Sequence, residues 1–406
     1  MRKIGIIGGG PAGVFAALNI KNEKNEVYLI EKNKDIGEKL KITGNGRCNI
    51  TNAKPYNEFL DNIIRNKNFM YSSFSRFDNY SMIDYLKQNG LETVVEDNMK
   101  VFPKSMKSSD VIALFKSLLA EKGVNFIGNC RVDSVEKTYK FVVKTDRQIY
   151  KFDCVIIATG GVTYPVTGST GDGYKFAQKF NHNIIKQVPS IAPLYIEDKV
   201  NIRALNLEGV GLGVKTDKET YFSNGNLLIT RNFLTGPLAL NIQARACRDR
   251  IEKIWIDLFP DKTTKDLEEE FVKLLTNNWK KNISNILKEI INETLVAYIL
   301  DMVNISKDKK ANQITRNERN LLVSKLKELT FTYKENMNFN NAVVTSGGVD
   351  VKEVNPKTME SKLVEGLFFI GEILDVDGLT GGFNLQIAFT SAYAASLGIK
   401  EKIWLI

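Results

Sequence analysis

Histidine occurs once in the 406 residues, as His182. A single imidazole removes most multi-ligand metal sites and Ser-His-Asp chemistry together, so no metal centre is expected and acid-base work falls to other groups. Cysteine is scarce as well. Cys48, Cys130, Cys154 and Cys247 lie far apart without a C-x-x-C pair, which fits a reducing compartment and neither a disulfide scaffold nor a zinc site. No apolar run is long enough to cross a bilayer. The apolar start, with Arg2 and Lys3 ahead of it, is broken by glycines and followed by no cleavage site, so a mature cytoplasmic protein is expected, with no membrane partner. Charge is plentiful: 56 Lys and Arg against 47 Asp and Glu, formally +9. The lysines are scattered through Asn- and Ile-rich sequence and not bunched with aromatics, so they read as solvated surface; attraction of anionic ligands is the alternative, and nucleic acid is not an expected partner. At 43% apolar and 25% charged residues the chain has the composition of a globular protein with two or three domains.

What is present is concentrated at the start. Ile4 to Ile7 form a short apolar run that passes without a break into GGGPAG, Gly8 to Gly13, and then into the alanine-rich stretch Val14 to Ile20. The order strand, glycine turn, helix has the G-x-G-x-x-G spacing. Gly8 makes the tight turn, Gly10 lets the backbone approach a pyrophosphate, and Gly13 lets the helix pack on the strand. A second strand, Glu26 to Ile30, ends on Glu31, where a carboxylate accepts from a ribose 2′-hydroxyl and repels a 2′-phosphate. The motif therefore reads as FAD or NAD, not NADP.

Further stretches face the same ligand. GEKLKITGNGRCNITN, Gly37 to Asn52, carries three glycines with Lys39, Lys41 and Arg47, a loop able to lay N–H groups and cations along a diphosphate or an electron-rich ring. The stretch Tyr56 to Lys122 reads as mostly helical, with helices at Ser81–Asn89 and from Ser108, capped by Ser108 or Ser109, and a break at Val101–Pro103. Val124 to Ile127 reads as a strand, followed by a meander over Arg131–Val135, Lys140–Thr145 and Gln148–Phe152. Main-chain atoms at Val132 are placed where an adenine would lie. The strand Cys154–Ala158 ends in ATGG, Ala158 to Gly161, and GSTGDG opens a helix whose N-terminus either holds an anion or is capped by Thr170 and Asp172. Near the C-terminus the strand Gly366–Ile370 runs into GEILDVDGLTGGFNLQIA. There Glu372 or Asp375 can accept from ribitol hydroxyls. Gly381, Gly382 and Phe383 put helix N-terminal amides where negative charge develops on a reduced flavin. VGLGV, Val210 to Val214, has no helix after it and no acid at the right distance, so it is not a second fingerprint. A nicotinamide donor, if used, has no Rossmann domain of its own.

GGGPAG with Glu31, KITGNGRCNITN, ATGGVTYPVTGSTGDGY, SGGVDVKEVNPKTMESK and GEILDVDGLTGGFNLQIA together resemble the BaiN/YhiN-like bacterial flavoproteins over almost the whole chain. The resemblance implies an α/β fold of the two-dinucleotide type: a discontinuous FAD-binding Rossmann domain, with an inserted β-rich domain and a small helical subdomain. The corresponding boundaries are 1–190 and 341–406 for the FAD domain, 191–260 and 329–340 for the β-rich substrate domain, and 261–328 for the helices. It implies one bound FAD and oxidoreductase activity; the FAD is expected to be non-covalent and the substrate a small organic molecule, with NAD(P)H, if a nicotinamide is used, as a transient donor. The family's activities range from reduction of unsaturated steroid-like substrates to oxidation of small amines. By matching position it assigns FAD to Gly8, Gly10, Pro11, Ala12, Gly13, Glu31, Arg47, Cys48, Asn49, Val132, Thr159, Gly160, Glu372, Asn384 and Leu385. Lys32, Lys39, Thr43, Gly46, Ala158, Gly371, Asp375, Gly381, Gly382 and Phe383 complete the cofactor candidates. Where the family has a stretch like FTHFGLSGP this chain has ITRNFLTGP, Ile229 to Pro237, so Arg231 and Phe233 stand at the His and Gly positions.

The expected chemistry is hydride transfer between flavin N5 and a substrate carbon, with the second domain closing over the ring. Arg47, Tyr164 and Arg231 are the candidate proton donors, each with ion pairing or capping as its structural alternative. Cys48 is a covalent attachment point, a redox thiol or, as favoured here, a packed inert residue. An RNA-associated flavoprotein and an electron-transfer or sensor flavoprotein are the competing classes.

Overall fold

The computed structural model describes residues 1–198 and 204–401. The chain divides into two compact units, one made of Met1–Ile191 with Asn338–Ile406, the other of Ala192–Met337.

The first unit is built on five parallel strands: β1 (Arg2–Ile7), β2 (Asn25–Ile30), β3 (Asn125–Ile127), β4 (Cys154–Ile157) and β5 (Leu367–Phe369), in the order β5-β4-β1-β2-β3. Ile4 pairs with both Val27 and Cys154, and Val155 with Leu367. The strands of this sheet's centre read as unbroken apolar runs because both faces are covered, so alternation has nothing to report. Helix α1 (Pro11–Ile20) is buried nearly all round and packs on helix α2 (Phe383–Glu401), whose Ala388, Ala392, Ala394 and Ala395 are buried. The chain leaves this unit along Ile184–Ser190 and returns along Val344–Val349, two antiparallel partners. Pro189 lies within the first of these strands.

Three local expectations are corrected. Val101–Pro103 is no break but part of the strand Lys100–Pro103, paired with Thr51–Asn52 and Thr93–Val95; a proline is tolerated at a strand's end. The helix expected from Ser81 starts at Asn79, because Asp78 accepts from the Ser81 N–H and caps it. The helix Ser108–Glu121 has no side-chain cap; the Ser108 hydroxyl instead donates to the Lys41 carbonyl at 2.9 Å, tying it to the preceding loop. The meander stands as Val132–Lys137, Phe141–Thr145 and Ile149–Phe152.

The second unit has a six-stranded sheet organised by a long hairpin, Ala204–Thr216 with Thr220–Thr230, flanked by Ile251–Asp257 and Leu329–Phe331 on one side. VGLGV lies inside the first of these strands. Helices Thr264–Asn277, Glu293–Met302 and Arg316–Lys327 bury Phe271, Ile299 and Leu322 in a core continuous with Leu212, Ile254 and Ile256 of the sheet.

Candidate functional site

The three fingerprint glycines are separated by what a side chain would meet at each. A Cβ on Gly8, where φ is +110°, would lie 2.4 Å from the Ala158 carbonyl oxygen, and one on Gly13 would lie 1.9 Å from that of Gly8. At Gly10 it would meet nothing within 4 Å. Two positions are closed by backbone and the middle one opens onto space, at the N-cap of α1, which carries no side-chain cap. A helix N-terminus with uncapped amides and an unobstructed approach suits a pyrophosphate. Glu31, at the end of β2, accepts from the Gly9 N–H at 2.6 Å and the Asn33 N–H at 2.8 Å. Burial raises its pKa, against the two backbone hydrogen bonds that pull it down. A carboxylate has about four lone-pair sites, so two remain for a diol. The Glu31 carbonyl accepts from the Cys130 N–H, which brings the backbone leading to Val132 alongside.

The C-terminal segment meets this turn. A Cβ on Gly371, where φ is +75°, would sit 2.9 Å from the Ala12 methyl, so the end of β5 and the start of α1 are in close approach. One residue on, Glu372 takes Lys39 Nζ at 2.7 Å, the Thr345 N–H at 2.9 Å and the Thr163 hydroxyl at 3.2 Å, while Lys39 also donates to Thr163. This cluster joins four stretches of chain; Thr163 and Thr345 were not anticipated, and contacts made 333 positions apart leave no local pattern. Asp375 accepts from the Asn66 side chain at 3.1 Å. Asn384 is locked to the Gly378 backbone in both directions. With its amide oriented to satisfy its neighbours, Asn49 accepts from the Gly382 N–H at 3.1 Å, so that amide of the α2 N-terminus is engaged within the chain.

The remaining candidates are placed as follows. Arg47 pairs with Glu96 at 3.0 Å and lies 4.4 Å from the centre of the Phe102 ring. Lys32 reaches Thr170 and Asp172 at the start of the helix Asp172–Lys179, which has Gly171 at its N-cap and no side-chain cap. Thr43 donates to the Leu40 carbonyl, Gly46 and Gly160 have positive φ, and Gly371 N–H donates to Ser391. Cys48 is buried, and burial pushes its thiol up to about 12, the state of an inert thiol. Tyr164 holds φ +52° and its carbonyl accepts from Thr167. Arg231 is exposed in the second unit, between strands Thr220–Thr230 and Phe233–Thr235. Buried Thr159 Oγ1 and Tyr174 Oη lack a partner. Burial raises the Tyr174 phenol, helped by Glu372 and Asp375; an open approach at Gly10 and these orphaned hydroxyls fit a bound dinucleotide.

Residues 2–398 match the HI0933-like protein Rossmann domain model. The chain belongs to the HI0933-like flavoprotein Rossmann family. The fold is accordingly a Rossmann-type FAD-binding α/β fold, and the chain is a flavin-dependent oxidoreductase. Relatives in this family cover it end to end. It is 28% identical to a 3-dehydro-bile acid delta(4,6)-reductase of Clostridium scindens, over 99% of this chain and 100% of that one. It is 30% identical to a ribosomal RNA dihydrouridine synthase of Haemophilus influenzae, over 98% of both. Among solved structures, a 3-ketosteroid delta1-dehydrogenase of Sterolibacterium denitrificans shares the fold at 12% identity and a TM-score of 0.51, over 99% of this chain and 100% of that one. Among the described residues no helix is long and apolar enough to cross a membrane, and no cluster of His, Cys, Asp and Glu is arranged to hold a metal.

Proposed function

We propose that this chain is an FAD-dependent reductase that adds hydrogen across a carbon–carbon double bond conjugated to a carbonyl. The observation that carries the FAD site is the contrast at the glycine turn, where Gly10 alone faces open space above a carboxylate held by Gly9 and Asn33. The bound cofactor supplies hydride transfer at N5. The chain's part is binding and electrostatics. Gly8 to Gly13 seat the pyrophosphate, Glu31 takes a ribose, and the amides of Phe383 to Leu385 face developing negative charge, Gly382 being held by Asn49. Lys39 holds Glu372 in place through its ion pair. The choice of bond follows from the relatives' names: a delta(4,6)-reductase acting on a 3-dehydro bile acid and a synthase of dihydrouridine both saturate an electron-poor double bond. NAD(P)H is the proposed transient donor.

Purified protein should release FAD on denaturation. Under anaerobic conditions its flavin band should bleach with NADH or NADPH and return on addition of a conjugated enone. A protein that never holds FAD sinks the proposal, and a reduced flavin reoxidised only by oxygen leaves it an electron carrier. A second reading places the double bond in an RNA base; it is favoured by the H. influenzae relative, named for ribosomal RNA. Reoxidation by deproteinised ribosomal RNA and not by enones selects it.

A further inference from the structure

We infer that the second unit carries a single-stranded RNA-binding surface centred on Trp279, an inference that rests on the RNA reading just given. In sequence its lysines are dispersed, but the fold collects them. The backbone over 279–284 is hydrogen-bonded to 307–312: Ile283 N–H to the Lys309 carbonyl, Ala311 N–H to that of Lys281, and Asn312 N–H to that of Trp279. Asn282 and Lys310 bridge at the centre. Two basic stretches more than twenty residues apart thereby lie side by side, with Arg316 opening the next helix.

The charges there are unevenly neutralised. Lys281 pairs with Glu289 and Lys309 with Glu318. Among the described residues Lys280, Lys307 and Arg316 have no carboxylate in ion-pair range, and Lys310 donates to the neutral Asn282 amide at 2.7 Å. Asp308 stands as the local counter-charge, donated to by Asn282. Beside them Trp279 is 51% exposed, an uncommon state for the largest apolar side chain, with Lys280 Nζ 4.7 Å from its ring centre. An accessible indole among unpaired cations is the pairing that holds single strands: phosphates take the cations and a base stacks on the ring. A protein partner would need an apolar surround, which Lys280, Lys281 and Asn312 do not provide.

The test uses the full-length FAD-loaded protein and a fluorescein-labelled single-stranded RNA, read by anisotropy across a salt series. The triple variant K280E/K307E/R316E should bind about tenfold more weakly or worse, with its log–log salt slope shallower by roughly two. W279A should lose roughly tenfold in affinity with its salt slope unchanged. Unaltered flavin content and far-UV circular dichroism establish that both variants are folded. Wild-type affinity and slope retained in the triple variant overturn the surface while leaving RNA as substrate. Wild-type protein that ignores RNA at low salt overturns both. Heparin bound as tightly as RNA, with W279A without effect, reduces the patch to a general polyanion site and overturns the inference.

Discussion

Gly10 and Gly13 lie three residues apart in one turn and predict opposite variants. An alanine at Gly10 meets no atom of the chain and stands in ordinary backbone, φ −74°, so G10A should cost the unliganded protein less than about 1 kcal/mol in denaturant unfolding. Its methyl group occupies the pyrophosphate approach, and the variant should be isolated without flavin. G13A drives a Cβ into the Gly8 carbonyl, backbone that cannot swing aside, and should lose about 3 kcal/mol or more of stability. A G10A protein that keeps stoichiometric FAD would remove the assigned pyrophosphate seat. The spacing of these glycines was legible because the turn is local. The Lys39–Glu372–Thr163–Thr345 cluster was not, since each member's partner lies in another segment and a lone Thr carries no pattern.

At the level of elements, the single histidine joins three of them. His182 follows the helix Asp172–Lys179, is buried, and bonds Glu353 through Nδ1 at 3.1 Å and Ser361 through Nε2 at 2.8 Å, with its ring edge-on to Phe369 of β5. Burial lowers its pKa, outweighing the opposing pull of Glu353. Between that lowered value and the ordinary one of about 6.5, the unfolded chain binds the proton and the native imidazole does not. Its contribution is complete above about pH 6.5 and is lost as pH falls toward the native value. In denaturant titrations at about pH 7.5 and about pH 5.5, the wild type should therefore lose more stability than H182Q; equal losses would count against a neutral buried imidazole. Elements announced themselves unequally. The parallel strands β1 and β4 showed as apolar runs leading into glycine, β2 as an apolar run closed by Glu31, and the meander showed as alternation. Lys100–Pro103 was hidden, because its identity as a strand comes from pairing with Thr51–Asn52 and Thr93–Val95 and not from its own residues. The helix read from Ser81 begins two residues earlier, under the Asp78 cap, and the helix read from Ser108 begins there but without the serine cap expected for it.

For the whole molecule, the candidate cofactor residues all fall within one unit, Met1–Ile191 with Asn338–Ile406, and the other unit has its own core. Calorimetry should resolve two transitions, of which FAD at a hundredfold excess over its Kd raises one, by about 2.7 kcal/mol or roughly 5 °C and more. Both transitions moving together would mean that the units unfold as one. The discontinuity of the first unit also sets a schedule for its making. At about 5–20 residues per second, α2 follows the glycine turn out of the ribosome by roughly 20–70 s. Throughout that interval the apolar surface of α1 that α2 will cover is bare. Such exposed apolar surface is what chaperones bind, and a cofactor site drawing on residues from both ends of the unit is complete only once α2 has been made.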